Sequence, residues 1–320
     1  MAHLIENMAY VGAAPWHLLG SQLPPKQPIE VWAQKAGMDW DIHEAPVRYA
    51  TEELGGDVLT FPEQKVLFRS DNKRALSVVS GRYQVVQPRE VLEFYRDLTD
   101  ISGYELETAG VLKEGKKFWA LARIGKESAL KGGDLVKGYL LLATSCDGTL
   151  ATTATPTTIR VVCNNTLTIA LNEATAAVKV PHSTAFDAQA VKQRLGISVS
   201  QWDAFMYRMK TLADRKVKDE ESSKYFRKVL GVPEATPQQE AVVAQERALK
   251  RVQELYEGHG HGSELSSAKG TAWGLLNAVT EYVDHERRAR SQEYRLDSSW
   301  FGQGAVVKQR ALDRALDLVS

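Results

Sequence analysis

Basic side chains concentrate in two segments of the N-terminal half of this 320-residue chain. Six basic residues and one acidic residue lie between positions 65 and 89, and seven basic residues and three acidic residues lie between positions 113 and 137. The aromatic residues among them are Phe68, Tyr83, Phe118 and Trp119. Cations that follow a phosphate backbone, with aromatic faces on which bases stack, are what a single-stranded nucleic-acid groove requires. The pattern therefore favours such a groove.

The two segments, together with Arg160, predict a definite set of contacts. The side chains expected to bind backbone phosphates are Arg69, Lys73, Arg74, Arg82, Lys116, Lys117 and Arg160. Tyr83 and Trp119 are the candidate platforms for stacked bases. In the competing interpretation, the basic residues keep hairpin turns soluble and the aromatic residues belong to the core. Arg287, Arg288 and Arg290 form a second basic patch at the end of a predicted helix, where positive charge also suits the helix dipole.

A different group of polar residues could support catalysis. Asp147, Arg160, Cys163, Asn164 and Asn165 flank the ends of two predicted strands and could converge in a cleft. A cysteine nucleophile needs an activating base, and the sequence does not show which histidine would reach it. The ordinary roles are a buried inert thiol for the cysteine and local backbone hydrogen bonds for the asparagines. We therefore expect no catalytic residue, and an enzyme remains an alternative.

Histidine and cysteine placement does not predict a metal or cofactor site. His259 and His261 lie in a glycine-rich loop, where we expect solvent exposure, because a metal site needs three or four convergent ligands. The two cysteines, Cys146 and Cys163, are too few for a cysteine metal set. The chain has no phosphate-binding loop of the Gly-x-x-x-x-Gly-Lys-Ser/Thr type, no Gly-x-Ser-x-Gly elbow and no His-Glu-x-x-His helix. Common hydrolase chemistry therefore loses support.

Composition limits the class of protein further. Lysine plus arginine and aspartate plus glutamate each total 40, so bulk charge cannot drive nucleic-acid binding, although a local groove can. A hydrophobic fraction of 43% is typical of a globular protein with a full core. Few cysteines favour a reducing cytoplasm. The first residues do not resemble a signal peptide, and no apolar run approaches the length of a membrane span. We expect no membrane partner.

Periodicity predicts the elements that position these residues. Residues 1–185 contain short β-rich runs separated by turn residues, around a helix that begins at Pro88 and ends at Gly103. Residues 186–320 have helical periodicity, including an amphipathic helix over 271–290. The prediction is an α+β fold, with a twisted antiparallel sheet and a backing helix in the N-terminal half. The helical region would pack on this core or on a neighbouring protomer.

Several motifs resemble a phage- and plasmid-like family of unknown function, the domain of unknown function number 932. They are ALSVVSGRYQVVQP at 75–88, SCDGT at 145–149, TIRVVCNNTL at 158–167, GTAWGLLNAVTEYVDH at 270–285 and RLDSSWFG at 295–302. The resemblance implies a mobile-element origin in bacteria or their phages and no established catalytic residue. The family's usual histidine in the turn before Asp147 is Cys146 here, which argues against a catalytic histidine at this turn.

A weaker resemblance exists at the level of the fold. The predicted order of two strands, a helix and two strands is compatible with the core of Redβ/RecT-type single-strand annealing proteins, which is an analogy of fold. We expect a non-enzymatic protein that binds and anneals single-stranded DNA as a homo-oligomer in the cytoplasm of a bacterial host. The alternative is a mobile-element protein that binds a host defence or replication protein and has no affinity for DNA.

Overall fold

The computed structural model describes residues 8–12, 20–52, 56–160, 165–168, 177–199, 202–232 and 240–320. Within these ranges the fold is α+β, as predicted, with an antiparallel-rich sheet formed mainly by the N-terminal half and helices in the C-terminal half. Cys163 and Asn164, two residues of the enzyme hypothesis, lie outside the described residues.

Eleven strands are present in the described part of the chain. They are β1 (Met8–Val11), β2 (Ser21–Leu23), β3 (Ile42–Ala50), β4 (Val58–Arg69), β5 (Ala75–Ser80), β6 (Glu105–Leu112), β7 (Lys117–Leu130), β8 (Asp134–Ser145), β9 (Thr152–Arg160), β10 (Asn165–Thr168) and β11 (Val178–Val180). The larger sheet has the order β10-β9-β8-β7-β6-β1-β2, with β11 also paired to β9. The smaller sheet has the order β3-β4-β5. Strands β1 and β2 pair in parallel, whereas β3-β4, β4-β5 and β6-β7 are antiparallel.

Nine α-helices are present in the same ranges. They are α1 (Ile29–Ala36), α2 (Pro88–Ser102), α3 (Ala188–Val199), α4 (Trp202–Asp214), α5 (Asp219–Leu230), α6 (Glu240–Glu254), α7 (Ala272–Glu281), α8 (Gln292–Phe301) and α9 (Gln303–Leu316). The described segments contain no helix with both the length and the apolar character that crossing a membrane requires.

Two compact units divide the chain. The first unit comprises residues 1–124, 140–155 and 177–197, and the second comprises residues 125–139, 156–176 and 198–320. Neither unit is a continuous stretch of sequence, since the long strands β7, β8 and β9 each contribute to both. The division predicted between residues 185 and 186 therefore falls within the last segment of the first unit.

Helix α2 is the backing helix of the first unit. Pro88 opens it, and the carboxylate of Glu90 accepts a hydrogen bond of 2.6 Å from the backbone N–H of Gln87. Its buried face includes Leu92, Phe94 and Tyr95. The Tyr95 hydroxyl oxygen lies 3.0 and 2.9 Å from the carbonyl oxygens of Ala120 and Leu140, which share its one proton. This hydroxyl therefore ties the helix to two strands of the larger sheet.

Helix α7 is the centre of the second unit. All ten of its residues are buried, and it packs in one core with α4, α5, α6 and α9. Its buried residues include the polar Asn277, Thr280 and Glu281. The amphipathic helix predicted over 271–290 is shorter in the structure, because the regular α-helix ends at Glu281 and a wider π-type turn follows at Tyr282–Glu286.

Candidate functional site

Two basic turns of the first unit lie side by side. The turn between β4 and β5 contains Lys73 and Arg74, and the turn between β6 and β7 contains Glu114 and Lys116. Arg74 Nη2 is 2.5 Å from Glu114 Oε2, and Arg69 Nη1 is 3.5 Å from the Glu114 carbonyl oxygen. Two basic segments that are separate in sequence therefore meet at one surface, here called the basic turn pair (residues 70–74 and 113–116).

The backbone of the basic turn pair has an unusual conformation. Lys73, Lys113 and Glu114 have φ values of 59°, 54° and 60°, in the left-handed region that residues with a side chain seldom occupy. Gly115 has a φ of 105°, and a Cβ placed there would lie 3.1 Å from both Arg69 Nη1 and the Trp40 ring. Strained backbone concentrates at functional sites because its cost must be offset by a fixed surrounding structure.

The cations of this surface differ in how far their charge is neutralised. Arg69 stacks over the Trp40 ring at 4.1 Å and donates to both carboxylate oxygens of Asp71 at 2.9 and 2.6 Å. The hydrogen bond from Arg69 is the main reason that the pKa of Asp71 is lowered. In the described part of the chain, Lys73, Arg82 and Lys116 have no carboxylate partner. Arg69 therefore has a structural role. Lys73, Arg82 and Lys116 remain able to bind an anion.

Burial removes four of the predicted contacts from this interface. Trp119 is completely enclosed and Tyr83 is buried, so neither ring can receive a base in this conformation. The Tyr83 hydroxyl donates to the Ser145 carbonyl at 2.7 Å. Lys117 is buried as well, and Arg160 is buried in the second unit. Sequence reasoning assigned these side chains to a groove because composition does not show on which side of a strand they lie.

The SCDGT motif forms a turn beside Tyr83. Cys146 Sγ lies 3.4 Å from the Gly115 carbonyl oxygen, and burial raises the pKa of this thiol to about 12. Burial alone would raise the pKa of Asp147, but hydrogen bonds from Thr149 lower it. A protonated, enclosed thiol is a poor nucleophile. The Cys146 thiol is therefore unsuited to act as a nucleophile in this conformation.

His182 was not singled out from the sequence, although it closes this region. Its ring stacks on Tyr83 with centroids 4.4 Å apart. Its two ring nitrogens lie 3.1 Å from the Gln84 carbonyl oxygen and 3.0 Å from the Leu150 carbonyl oxygen. These contacts join chain segments that are far apart in sequence, so no local pattern could have indicated them.

In the second unit, Arg160 belongs to a buried network. Its Nε lies 2.8 and 3.0 Å from the two carboxylate oxygens of Asp134. The same carboxylate accepts hydrogen bonds from Ser267 Oγ at 2.7 Å and Trp273 Nε1 at 3.0 Å. The guanidinium also donates to the carbonyls of His261 and Gly262 at 3.3 and 3.0 Å. Arg160 therefore holds the glycine-rich loop, in which His259 and His261 are exposed as predicted.

A second buried network joins Asp284, Lys308, Ser299 and Thr166. Lys308 Nζ donates to Asp284 Oδ1 at 2.7 Å, to Thr166 Oγ1 at 2.6 Å and to Ser299 Oγ at 3.1 Å. Burial lowers the pKa of Lys308, and Asp284 opposes this effect. A serine next to a lysine with a lowered pKa is a combination that activates nucleophiles. Ser299 is 1% exposed, however, so no substrate can reach its oxygen in this conformation.

Asn165 also contributes to packing. Its Nδ2 donates to the Asn277 carbonyl at 3.2 Å, and its Oδ1 lies 3.1 Å from His285 Nε2. Both contacts are with α7 or the turn that follows it, far from Asn165 in sequence. The expected bonds to nearby backbone are therefore replaced by bonds between distant elements.

An exposed hairpin is the feature that sequence analysis missed. The outer halves of β3 and β4 pair Val47 with Phe61 and Tyr49 with Leu59. Tyr49 is 49% exposed, Phe61 is 38% exposed and Val58 is 63% exposed. The alternation of Val47, Arg48 and Tyr49 is typical of a strand, but a single sequence does not show whether a core covers its apolar side.

The family comparison covers most of the chain. A family model described as Domain of unknown function (DUF932) matches residues 75–300, so the chain belongs to this family. The matched stretch begins with β5 and includes both buried networks except Lys308, whereas the exposed hairpin of β3 and β4 lies before it. No curated protein matches the chain.

Proposed function

We propose that this chain binds and anneals single-stranded DNA as a homo-oligomer, with Lys73, Lys116 and Arg82 as its main phosphate contacts. The observation that carries the proposal is that the two basic turns converge, while Lys73 and Lys116 on them, and Arg82 after β5, have no carboxylate partner among the described residues. Exposed cations attract a phosphate backbone and release its counterions. Because backbone contacts carry no sequence preference, they leave base edges free to pair with a second strand.

Tyr49 and Phe61 replace Tyr83 and Trp119 as candidate stacking platforms. They lie on the exposed hairpin, and Phe61 is about 30 Å along β4 from the basic turn pair at about 3.4 Å per residue. Ser80, the last residue of β5, pairs with Gln64 of β4. Arg82 follows β5 by two residues, so Arg82 lies along β4 between Phe61 and the basic turn pair. A strand bound along β4 would thus meet cations first and aromatic faces later.

The setting that suits this proposal is the cytoplasm of a bacterial host. There, a phage or plasmid protein that captures one strand would meet its complement as replication or repair exposes single strands. A homo-oligomer would align several basic turn pairs along one strand, and each added site would raise the overall affinity.

The second candidate function is binding to a host defence or replication protein. It is favoured by the apolar residues of the hairpin, because exposed apolar surface marks interaction sites. In this case, the hairpin would contact a protein partner. The basic turn pair would then have no part in DNA binding.

Labelled oligonucleotides distinguish these two functions. We expect the wild-type protein to bind a labelled strand at low salt and to accelerate its pairing with a complementary strand. The Lys73→Gln/Lys116→Gln variant should lose most of both activities. A Lys210→Gln/Lys250→Gln variant changes the charge equally at exposed positions of the second unit, and it should behave like wild type. Absence of binding by the wild-type protein at low salt would contradict the proposal and favour the protein partner.

A further inference from the structure

The segment after α7 encloses a small cavity in the second unit. Its volume is about 120 Å³, and it lies between the end of the π-type turn and the start of α8. The residues that line it are Val283, Arg287, Arg288, Ala289, Arg295 and Ser298. Three of the six are arginines and none is acidic. We call this cavity the arginine pocket.

One donor in the arginine pocket lacks an acceptor. The Nη1 atom of Arg287 is buried and makes no hydrogen bond within the described part of the chain. Buried polar atoms in folded proteins nearly always have a partner, and an orphan often marks the place of an ion or water. A charged donor in this position is a strong reason to expect a bound anion.

The other polar groups are held in place around the same space. Arg295 Nε donates to the Arg287 carbonyl at 3.2 Å, and its Nη1 donates to Gln292 Oε1 at 2.8 Å. Ser298 Oγ accepts a hydrogen bond from Gly304 N at 3.2 Å, which leaves its hydroxyl proton able to donate to a ligand. Arg288 is exposed at the rim.

Two carboxylates that precede the pocket in sequence have partners elsewhere. Glu286 lies beside the pocket in sequence, but its two oxygens accept from Arg251 Nε and Nη2 at 2.5 and 2.7 Å. Asp284 belongs to the buried network with Lys308. Glu286 and Asp284 are therefore held by other basic residues and not by Arg287, Arg288 or Arg295.

From this geometry we propose that the arginine pocket binds one phosphate group. Guanidinium groups form paired hydrogen bonds with phosphate oxygens, and the serine hydroxyl adds a further donor. Pockets that enclose a drug-sized ligand measure about 300–1,000 Å³, so this cavity holds a phosphate group and not a whole nucleoside. The source is either free phosphate or the terminal phosphate of a larger molecule. Arg287 and Arg288, two of the three arginines of the predicted basic patch, would thus bind a ligand.

Calorimetric titration with inorganic phosphate tests this site. We expect saturable binding of one phosphate per chain by the wild-type protein and an affinity loss of about tenfold or more for Arg287→Gln. Arg288→Gln should weaken binding by about threefold to tenfold, and because Arg288 is exposed, this variant should fold normally. Arg247→Gln removes one exposed arginine from α6 and should bind phosphate like wild type.

Two oligonucleotides identify the source of the phosphate. If a 5′-phosphorylated strand displaces phosphate and the matching 5′-hydroxyl strand does not, the pocket accepts a nucleic-acid terminus. If neither strand displaces it, the ligand is free phosphate. Absence of saturable binding by the wild-type protein, or equal affinity for wild type, Arg287→Gln and Arg288→Gln, would overturn the site.

The test is independent of the proposed DNA function. The Lys73→Gln/Lys116→Gln variant should retain full phosphate affinity, because its substitutions lie in the first unit. A protein that binds phosphate at the arginine pocket but does not bind single-stranded DNA would remove the proposed function and leave this site intact.

Discussion

The two units use charged residues in different ways. In the first unit, basic residues from separate segments meet on exposed turns, and Lys73, Arg82 and Lys116 keep their charge available. In the second unit, Arg160 and Lys308 are buried and paired with Asp134 and Asp284. Charge on a surface serves binding, whereas a buried and fully hydrogen-bonded pair restricts how elements can pack. The same residue types therefore give a candidate binding surface in one unit and internal cross-links in the other.

Removing one member of a buried pair should have the largest effect. Asp134→Ala leaves the Arg160 guanidinium buried without its carboxylate and takes an acceptor from Ser267 and Trp273. We expect the free energy of unfolding to fall by about 3–5 kcal/mol, measured by urea denaturation. Asp214→Ala breaks the exposed pair with Lys131 in the same unit and should cost less than about 1 kcal/mol. Equal losses would remove the contrast between buried and exposed charge.

The next largest effect concerns the thiol beneath the basic turn pair. The pKa of Cys146 is raised to about 12 from its usual 9.0, so at pH 8 its thiolate fraction is about a thousandfold smaller than that of an ordinary cysteine. In a Cys163→Ser variant, Cys146 should resist thiol reagents in the native state and react rapidly after denaturation. Rapid native labelling at pH 8 would show that the first unit is not closed around this turn.

The exposed hairpin should affect binding more than stability. Tyr49→Ala should weaken single-stranded DNA binding by about 1–3 kcal/mol if a base stacks on this ring. The free energy of unfolding should change by less than about 0.5 kcal/mol, because the side chain is half exposed. Tyr207→Ala, at an exposed position of the second unit, is the matched control. An unchanged DNA affinity for Tyr49→Ala would favour a protein partner for the hairpin.

The smallest effect is expected for the ion pair that joins the two basic turns. A double-mutant cycle on Arg74 and Glu114 should give a coupling energy of about 0.2–1 kcal/mol, since both side chains are substantially exposed. The same cycle on Arg160 and Asp134 should give a coupling several times larger. Similar coupling energies for the two pairs would contradict the contrast between exposed charge in the first unit and buried charge in the second.

Sequence patterns predicted the secondary-structure elements well, but they did not predict the environment of individual side chains. Pro28 and Gly37 lie at the two ends of α1, and Gly37 has the left-handed φ of 71° typical of a helix end. The turns at 70–74 and 113–116 likewise have the local composition of turns. These features depend on local preferences, which a single sequence contains.

Features that depend on distant partners could not be predicted. Arg160 was assigned to phosphate because nothing local shows that Asp134, Ser267 and Trp273 would surround it. Tyr83 was assigned to base stacking because the sequence does not show that His182 stacks on its ring. His182 is 98 residues from Gln84, the residue that follows Tyr83. Burial is set by tertiary packing, so the sign and spacing of charges cannot reveal which of them face water.

The salt dependence of DNA binding tests the central claim most directly. Affinity for a labelled single strand would be measured by anisotropy from about 50 to 200 mM salt for wild type, Lys73→Gln/Lys116→Gln and Lys210→Gln/Lys250→Gln. Each lost phosphate contact should reduce the slope of log affinity against log salt by about 0.7, so the first variant should lose about 1.4 and the second should lose nothing. Identical slopes for all three proteins would contradict the assignment of the basic turn pair as the DNA-binding surface.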